Sequence, residues 1–428
     1  MFLHPPWPSC RVRSETGERG RSFGGDGRTS RIRRPPQPLA LVTPRRSRYP
    51  ALLQLANVAQ PPERHHPEAV IPSTGSASGS SADALTRTVP TRSAINFGTS
   101  RLRIFGGVNT GELPGRVARY LGRDGVDAVV RRKFSDGEWY VKLPESVRGC
   151  DVFLVFSTCG PSISDAIMEL LITIDAVKRA HAAQVTVVMP YYGYARADRL
   201  VEKREALSSK LMANLITRAG ADRMVLMDIH SAQSCGYFDI PVDHLYASSV
   251  LVSYLWSRVQ PQREGNINAA AATTDSLVVV APDVGGVARA RAFAKALNDA
   301  PLAIIDKRRS GHNVAEVMNL IGEVHGKTAV LVDDMIDTAG TICAGARLLR
   351  QHGAERVFAM ATHPVFSGPA RQRLSEPGLF EEVIVTDTVP VLPEKQFPQL
   401  RVVSVDALIG EQIWFIHRDF SVGRSTVL

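Results

Sequence analysis

The chain has 428 residues, 44% hydrophobic and 22% charged, the mixture of a folded globular protein, which excludes collagen and wholesale disorder. Its net charge of +9 is uneven: residues 1–95 hold fourteen arginines, no lysine and six acids, a surplus of +8 that leaves +1 for the rest. The basicity therefore belongs to the N-terminal segment and argues against a nucleic-acid partner, and no apolar run approaches the ~20 residues that cross a bilayer, so no membrane partner is expected.

Residues 1–95 also carry thirteen of the 27 prolines, and their apolar residues come in pairs and triplets without a helical period. Such a stretch cannot bury a core. Few acids with many Arg and Ser is the profile of an organelle transit segment, the plainer alternative being a disordered extension or a misjudged start. The five cysteines, Cys10, Cys150, Cys159, Cys235 and Cys343, form no C-x-x-C pair, so neither a disulfide scaffold nor a zinc site is expected.

From Arg101 the pattern changes. Short apolar runs at 151–156, 184–189, 223–228, 276–281, 302–306, 328–332 and 356–361 read as strands, and 165–182, 208–219, 287–297 and 340–352 read as helices. Strand and helix in alternation predict an α/β fold, with parallel sheets covered by helices on both faces. A boundary near Leu245 divides the body into two doubly wound domains, 101–245 and 246–428, preceded by the 1–95 extension. The polar, alanine-rich stretch 257–275 has no period and reads as a surface loop or insertion.

Open parallel sheets bind ligands beyond the carboxyl ends of their strands. Four such ends carry acids: Asp228 after Val225-Leu226-Met227, Asp283 after Val278-Val279-Val280, Asp306 after Ile304-Ile305, and Asp333 with Asp334 after Val330-Leu331-Val332. One such Asp alone reads as a helix cap or a turn former; four suggest a site. After the last pair, Asp337, Thr338, Ala339, Gly340 and Thr341 stand where a strand turns into a helix, so backbone N–H groups and two hydroxyls converge in a phosphate cradle. It lacks the lysine of a P-loop. Ionised Asp333 and Asp334 suit the vicinal hydroxyls of a sugar, so a sugar phosphate is implied. Asp228 and His230, two apart at a strand end, face the same way and can share a metal or a phosphate, with Asp239 and Asp243 in the next turn.

The 330–341 segment resembles the phosphoribosyl-pyrophosphate loop shared by type I phosphoribosyltransferases and ribose-phosphate pyrophosphokinases. Asp228-Ile229-His230-Ser231 and its continuation to Val242 resemble the signature of the pyrophosphokinases. Three further segments resemble the same family: 134–138 its adenine-nucleotide loop, 191–199 its second ATP-binding stretch, and 307–313 its mobile catalytic loop. The resemblance covers about 101–421 and is similar to plant-type members along 282–319.

The family resemblance implies ATP and ribose 5-phosphate as substrates and Mg²⁺ as cofactor. It implies that Phe134, Asp136, Glu138, Arg196, Asp198 and His230 bind ATP and that Asp333, Asp334 and 337–341 bind ribose 5-phosphate. Asp228, His230, Asp239, Asp243 and Asp283 would hold metal, and Lys307 and Arg309 would close over the transferring group as catalytic residues. Ser146 and Arg148 match a regulatory phosphate site. A homo-oligomer of dimers stacked into a hexamer is expected, in the plastid stroma, with the mitochondrion or cytoplasm as alternatives. Ala197 stands where many members carry Gln, Leu200 where Lys is usual, and Lys203 where several have Ser. Two other functions compete: a nucleobase phosphoribosyltransferase, which leaves 134–138 and 228–243 unexplained, and a catalytically silent regulatory subunit, against which Lys307 and Arg309 argue.

Overall fold

Runs such as Leu277–Ala281, buried at every position, form strands because a parallel strand covered on both faces needs apolar side chains on both. A computed structural model describes residues 101–259, 276–308 and 317–421, all within one compact unit. The expectations for 1–95, for most of 257–275 and for Arg309 lie outside the described residues.

In chain order the elements are β1 (Leu102–Gly106), α1 (Leu113–Tyr120), β2 (Val130–Lys133), β3 (Trp139–Lys142), β4 (Asp151–Val155), α2 (Ile163–Arg179), β5 (Gln184–Met189), α3 (Ser208–Ala219), β6 (Arg223–Met227), β7 (Val242–Leu245) and α4 (Ser248–Val259). There follow β8 (Leu277–Ala281), α5 (Val287–Ala296), β9 (Leu302–Arg308), β10 (Val317–Ile321), β11 (Thr328–Ile336), α6 (Gly340–Gln351), β12 (Arg356–Pro364), α7 (Ala370–Leu374), β13 (Glu382–Thr386), β14 (Leu400–Val403) and α8 (Asp406–His417). Five strands make one all-parallel sheet in the order β1-β4-β5-β6-β7. Seven make a second, β10-β9-β8-β11-β12-β13-β14, parallel except at the β10 edge. The β2–β3 hairpin stands apart as a two-stranded ribbon.

Sheet membership changes after Leu245, but one core spans both sheets. Phe153, Val225 and Met227 of the first join Val279, Val330 and Phe358 of the second. The helices reach across as well, with α8 packed on α1, Tyr120 Oη donating to Glu411 at 3.1 Å and His417 Nδ1 meeting Asp151 Oδ2 at 2.7 Å. The outer face of each sheet has its own core, under α6 and α7 on the second and under α2 and α3 on the first.

Three strands run further than the apolar runs announce. β9 continues to Arg308 because β10 pairs with it, Met318 opposite Lys307; Lys307 thus belongs to an antiparallel ladder, not to a turn. β11 carries Asp333 within its ladder, opposite Ala361, and runs on to Ile336 because β12 also extends beyond its apolar run, with Met335 opposite His363. The presumed loop beginning at 257 is corrected at its start, since 257–259 complete the last turn of α4.

Candidate active site

The carboxyl ends of the two sheets meet at a cleft of about 690 Å³, walled by Asp198, Asp228, His230, Asp283, Arg289, Asp333 and Asp334 among others. Three contacts cross from loops of the first sheet to strand ends of the second. The first is buried Asp228, which follows β6 with a left-handed φ of 39°. Its Oδ2 accepts from the Thr362 hydroxyl at 2.7 Å and from the Ala247 N–H at 2.9 Å, and its carbonyl accepts from His363 Nε2 at 3.2 Å. Burial lowers the His363 pKa and keeps that ring neutral. Asp228 is thus bound to the end of β12, with one carboxylate oxygen already engaged.

The second contact joins His230 Nδ1 to Asp334 Oδ2 at 2.7 Å. A carboxylate accepts, so Nδ1 carries the proton and Nε2 is left for a ligand. Hydrogen bonding to Asp334 raises the His230 pKa against the opposing effect of burial and favours the imidazolium. The third contact pairs Arg196, on the loop after β5, with Asp337 at 2.6 Å. That loop is anchored by Gly193, whose N–H donates to Thr158 Oγ1 at 2.7 Å and where an added Cβ would lie 2.5 Å from the Thr158 carbonyl oxygen.

Asp333 and Asp334 stand side by side at the end of β11. Asp334 is buried and held on both oxygens, by His230 and by Arg289 Nη1 at 3.2 Å. The same Nη1 meets Asp333 Oδ1 at 3.1 Å. Burial raises both carboxyls, but His230 and Arg289 outweigh it at Asp334, whose pKa falls well below the usual range. At Asp333 burial and the neighbouring Asp334 charge prevail, and its pKa rises well above that range.

The cradle has the geometry its residues announce. Ala339 caps α6 in the left-handed region, φ 59°, and a helix start leaves its first N–H groups without intrahelical acceptors. Thr338 and Thr341 are exposed. Arg373 of α7 donates to the Thr338 carbonyl at 2.9 Å, adding a cation beside the turn.

Other expected residues fall elsewhere. Asp283 lines the cleft, with Oδ1 accepting the Gly286 N–H at 2.8 Å ahead of α5. Asp239 and Asp243 do not join the cleft walls: Asp239 is exposed, and Asp243 pairs with Arg223 at 3.0 Å near the start of β6. No cluster of three metal-ligating side chains forms among the described residues. Phe134, Asp136 and Glu138 occupy the tip of the β2–β3 hairpin, outside the cleft walls. There Phe134 is 44% exposed and stacks under the Arg132 guanidinium at 5.2 Å, while the Glu138 N–H donates to Asp136 Oδ1 at 3.0 Å. Ser146 and Arg148 are exposed ahead of β4, with Arg148 Nη2 3.5 Å from His181. Arg289, Thr362 and His363 were not expected. Only Arg289 had a signal, a cation in the first turn of a helix that starts shortly after Asp283 and a strand end.

Residues 102–220 match the family described as the N-terminal domain of ribose phosphate pyrophosphokinase, and 310–425 match the phosphoribosyl synthetase-associated domain. The chain is similar to the ribose-phosphate pyrophosphokinase of Synechococcus elongatus, 61% identical over 322 residues, 75% of this chain and 92% of that one. It is also similar to ribose-phosphate pyrophosphokinase 1 of Spinacia oleracea, 58% identical over 77% of this chain and 94% of that one. The protein named ribose-phosphate pyrophosphokinase 1, chloroplastic, of Oryza sativa is 57% identical over 76% of this chain and 78% of that one. Among solved structures, phosphoribosylpyrophosphate synthetase from Mycobacterium smegmatis superposes with a TM-score of 0.67 at 42% identity, covering 74% of this chain and 99% of that one.

Proposed function

The chain belongs to the ribose-phosphate pyrophosphokinase family, and from that premise we propose which of its groups carry the reaction. The activity is transfer of the β,γ-pyrophosphoryl group of ATP to the C1 hydroxyl of ribose 5-phosphate, giving phosphoribosyl pyrophosphate and AMP. One observation supports placing it in the cleft. The sugar-binding carboxylates at the end of β11 stand against His230 of the other sheet, 2.7 Å from Asp334, so a sugar and a nucleotide phosphate can meet there.

In this reading the 337–341 turn receives the 5-phosphate, and Asp333 accepts from the ribose hydroxyls. The C1 oxygen attacks the β-phosphorus in line while the bond from that phosphorus to the oxygen retained by AMP breaks. His230, drawn toward the imidazolium by Asp334, donates from Nε2 to a phosphate oxygen. Asp198 and Arg196 belong to the ATP side. Arg196 also neutralises Asp337, which would otherwise repel the sugar phosphate. Phe134, Asp136 and Glu138 are assigned to the adenosine. Lys307 and Arg309 oppose the charge that spreads over the transferring group.

Mg²⁺ fits a sparse donor set, since it takes one or two carboxylates and fills its remaining positions with water and phosphate oxygens. Asp283, exposed on the cleft wall, is the best placed carboxylate. Asp228 contributes at most its second oxygen. The ion would neutralise phosphate charge.

The N-terminal 95 residues are proposed as a plastid-targeting segment ahead of domains 101–245 and 246–428. Ser146 and Arg148 are proposed as a regulatory phosphate site, and the assembly as dimers forming a hexamer. AMP formation from ATP that requires both ribose 5-phosphate and Mg²⁺ tests the activity. A nucleobase transferase or a silent subunit would form none.

A further inference from the structure

Adjacent carboxylates at a strand end repel each other, and the cation that bridges them sets how they are presented. Arg289, on the first turn of α5, places one nitrogen 3.1 Å from Asp333 Oδ1 and 3.2 Å from Asp334 Oδ1. The two hydrogens on Nη1 suffice for one bond to each. Its side chain is 24% exposed, against 29% for Asp333 and 3% for Asp334, so the bridge lies between buried backbone and open cleft. Asp334 has both oxygens engaged. Asp333 Oδ1 is occupied by Arg289 and by the Asp334 N–H at 2.9 Å, which fixes the carboxylate plane and leaves Oδ2 as the acceptor open to a ligand.

We propose that Arg289 is a positioning residue for sugar recognition: by tying Asp333 Oδ1 to Asp334 it aims Asp333 Oδ2 at a ribose hydroxyl and so selects ribose 5-phosphate over its deoxy analogue. This rests on the assignment of the cleft to ribose 5-phosphate. A site built to bond a hydroxyl rejects a ligand lacking it, because the acceptor covered by the bound sugar is then left unpaired. Without Arg289 only the Asp334 N–H holds Asp333 Oδ1, the carboxyl group is less well aimed, and that discrimination fades. Among the described residues no other cation is bonded to Asp333, and His230 engages the far oxygen of Asp334.

The test compares ribose 5-phosphate with 2-deoxyribose 5-phosphate in wild type, Arg289→Met, Arg289→Gln and Arg289→Lys, with thermal melting of each. Wild-type activity with ribose 5-phosphate establishes the underlying assignment independently of any variant. The ratio of kcat/KM for the two sugars should fall about tenfold in the Met and Gln variants, the scale of one hydrogen bond. KM for ATP should change less than twofold, and Lys, which also offers several donors, should restore part of the ratio. An unchanged ratio, or an equal loss for both sugars, overturns the proposal. If neither neutral variant folds, Arg289 is a structural cation and the proposal falls as well.

Discussion

Replacing Asp333 by Asn should stabilise the fold while damaging the site. Burial and the neighbouring Asp334 raise the Asp333 pKa well above the usual carboxylate range, so the native state disfavours its ionised form. An unfolded Asp ionises near pH 4. Between there and the raised folded value the native state binds more protons than the unfolded one, and stability falls as pH rises. Each unit of upward shift corresponds to about 1.4 kcal/mol. Asn carries no such charge, and its side-chain oxygen can still accept from Arg289 and from the Asp334 N–H. Discounting for coupling, Asp333→Asn should gain about 1 kcal/mol at pH 8, or about 2 °C in Tm for a chain of this size. The gain should be absent near pH 3. Over the same preparation KM for ribose 5-phosphate should rise up to about tenfold, the ~0.5–1.5 kcal/mol of a hydrogen bond to a largely uncharged acceptor. Thermal melts across pH with sugar-dependent kinetics read both. A variant less stable at pH 8 with unaltered KM would refute the reasoning and make Asp333 a structural cap.

Asp334→Asn should lower the His230 pKa toward 6.5, because the carboxylate is what raises it; histidine NMR titration checks this, and an unmoved resonance contradicts it. The His230–Asp334 contribution to stability is accordingly full below the unfolded pKa and lost as pH rises through the folded one. Thr362→Val removes the 2.7 Å hydroxyl contact to buried Asp228 and should cost about 1–3 kcal/mol by denaturant unfolding; a neutral result would mean that Asp228 finds another donor. Lys307→Ala should lower kcat about a hundredfold with both KM values nearly constant, as for a group that acts in the transition state. A rise in KM for ATP at constant kcat would make it a nucleotide clamp.

The central strands were legible because burial on both faces leaves an uninterrupted apolar run, as at Leu277–Ala281. The ribbon strands and β13 were not. The four residues of β2, Val-Arg-Arg-Lys, include no buried one, and β13 begins with buried Glu382, tolerated because Arg258 and Arg401 reach it at 2.6 and 3.3 Å. Strand ends were misjudged where a partner strand, invisible locally, extends the ladder, as β10 does for Lys307. At the site, the cradle and its two acids are contiguous and could be read. Arg289, Thr362 and His363 act through contacts between distant segments, and Asp243 reads as a ligand in sequence because spacing does not reveal its partner, Arg223.

Pyrophosphoryl transfer is defined by where the phosphorus atoms go. With ATP labelled separately at its α, β and γ phosphorus, incubation with ribose 5-phosphate and Mg²⁺ should move the β and γ labels together onto the sugar and leave only α in AMP. Recovery of ADP with γ alone on the sugar, or release of γ as inorganic phosphate without a sugar product, would contradict pyrophosphoryl transfer in this cleft.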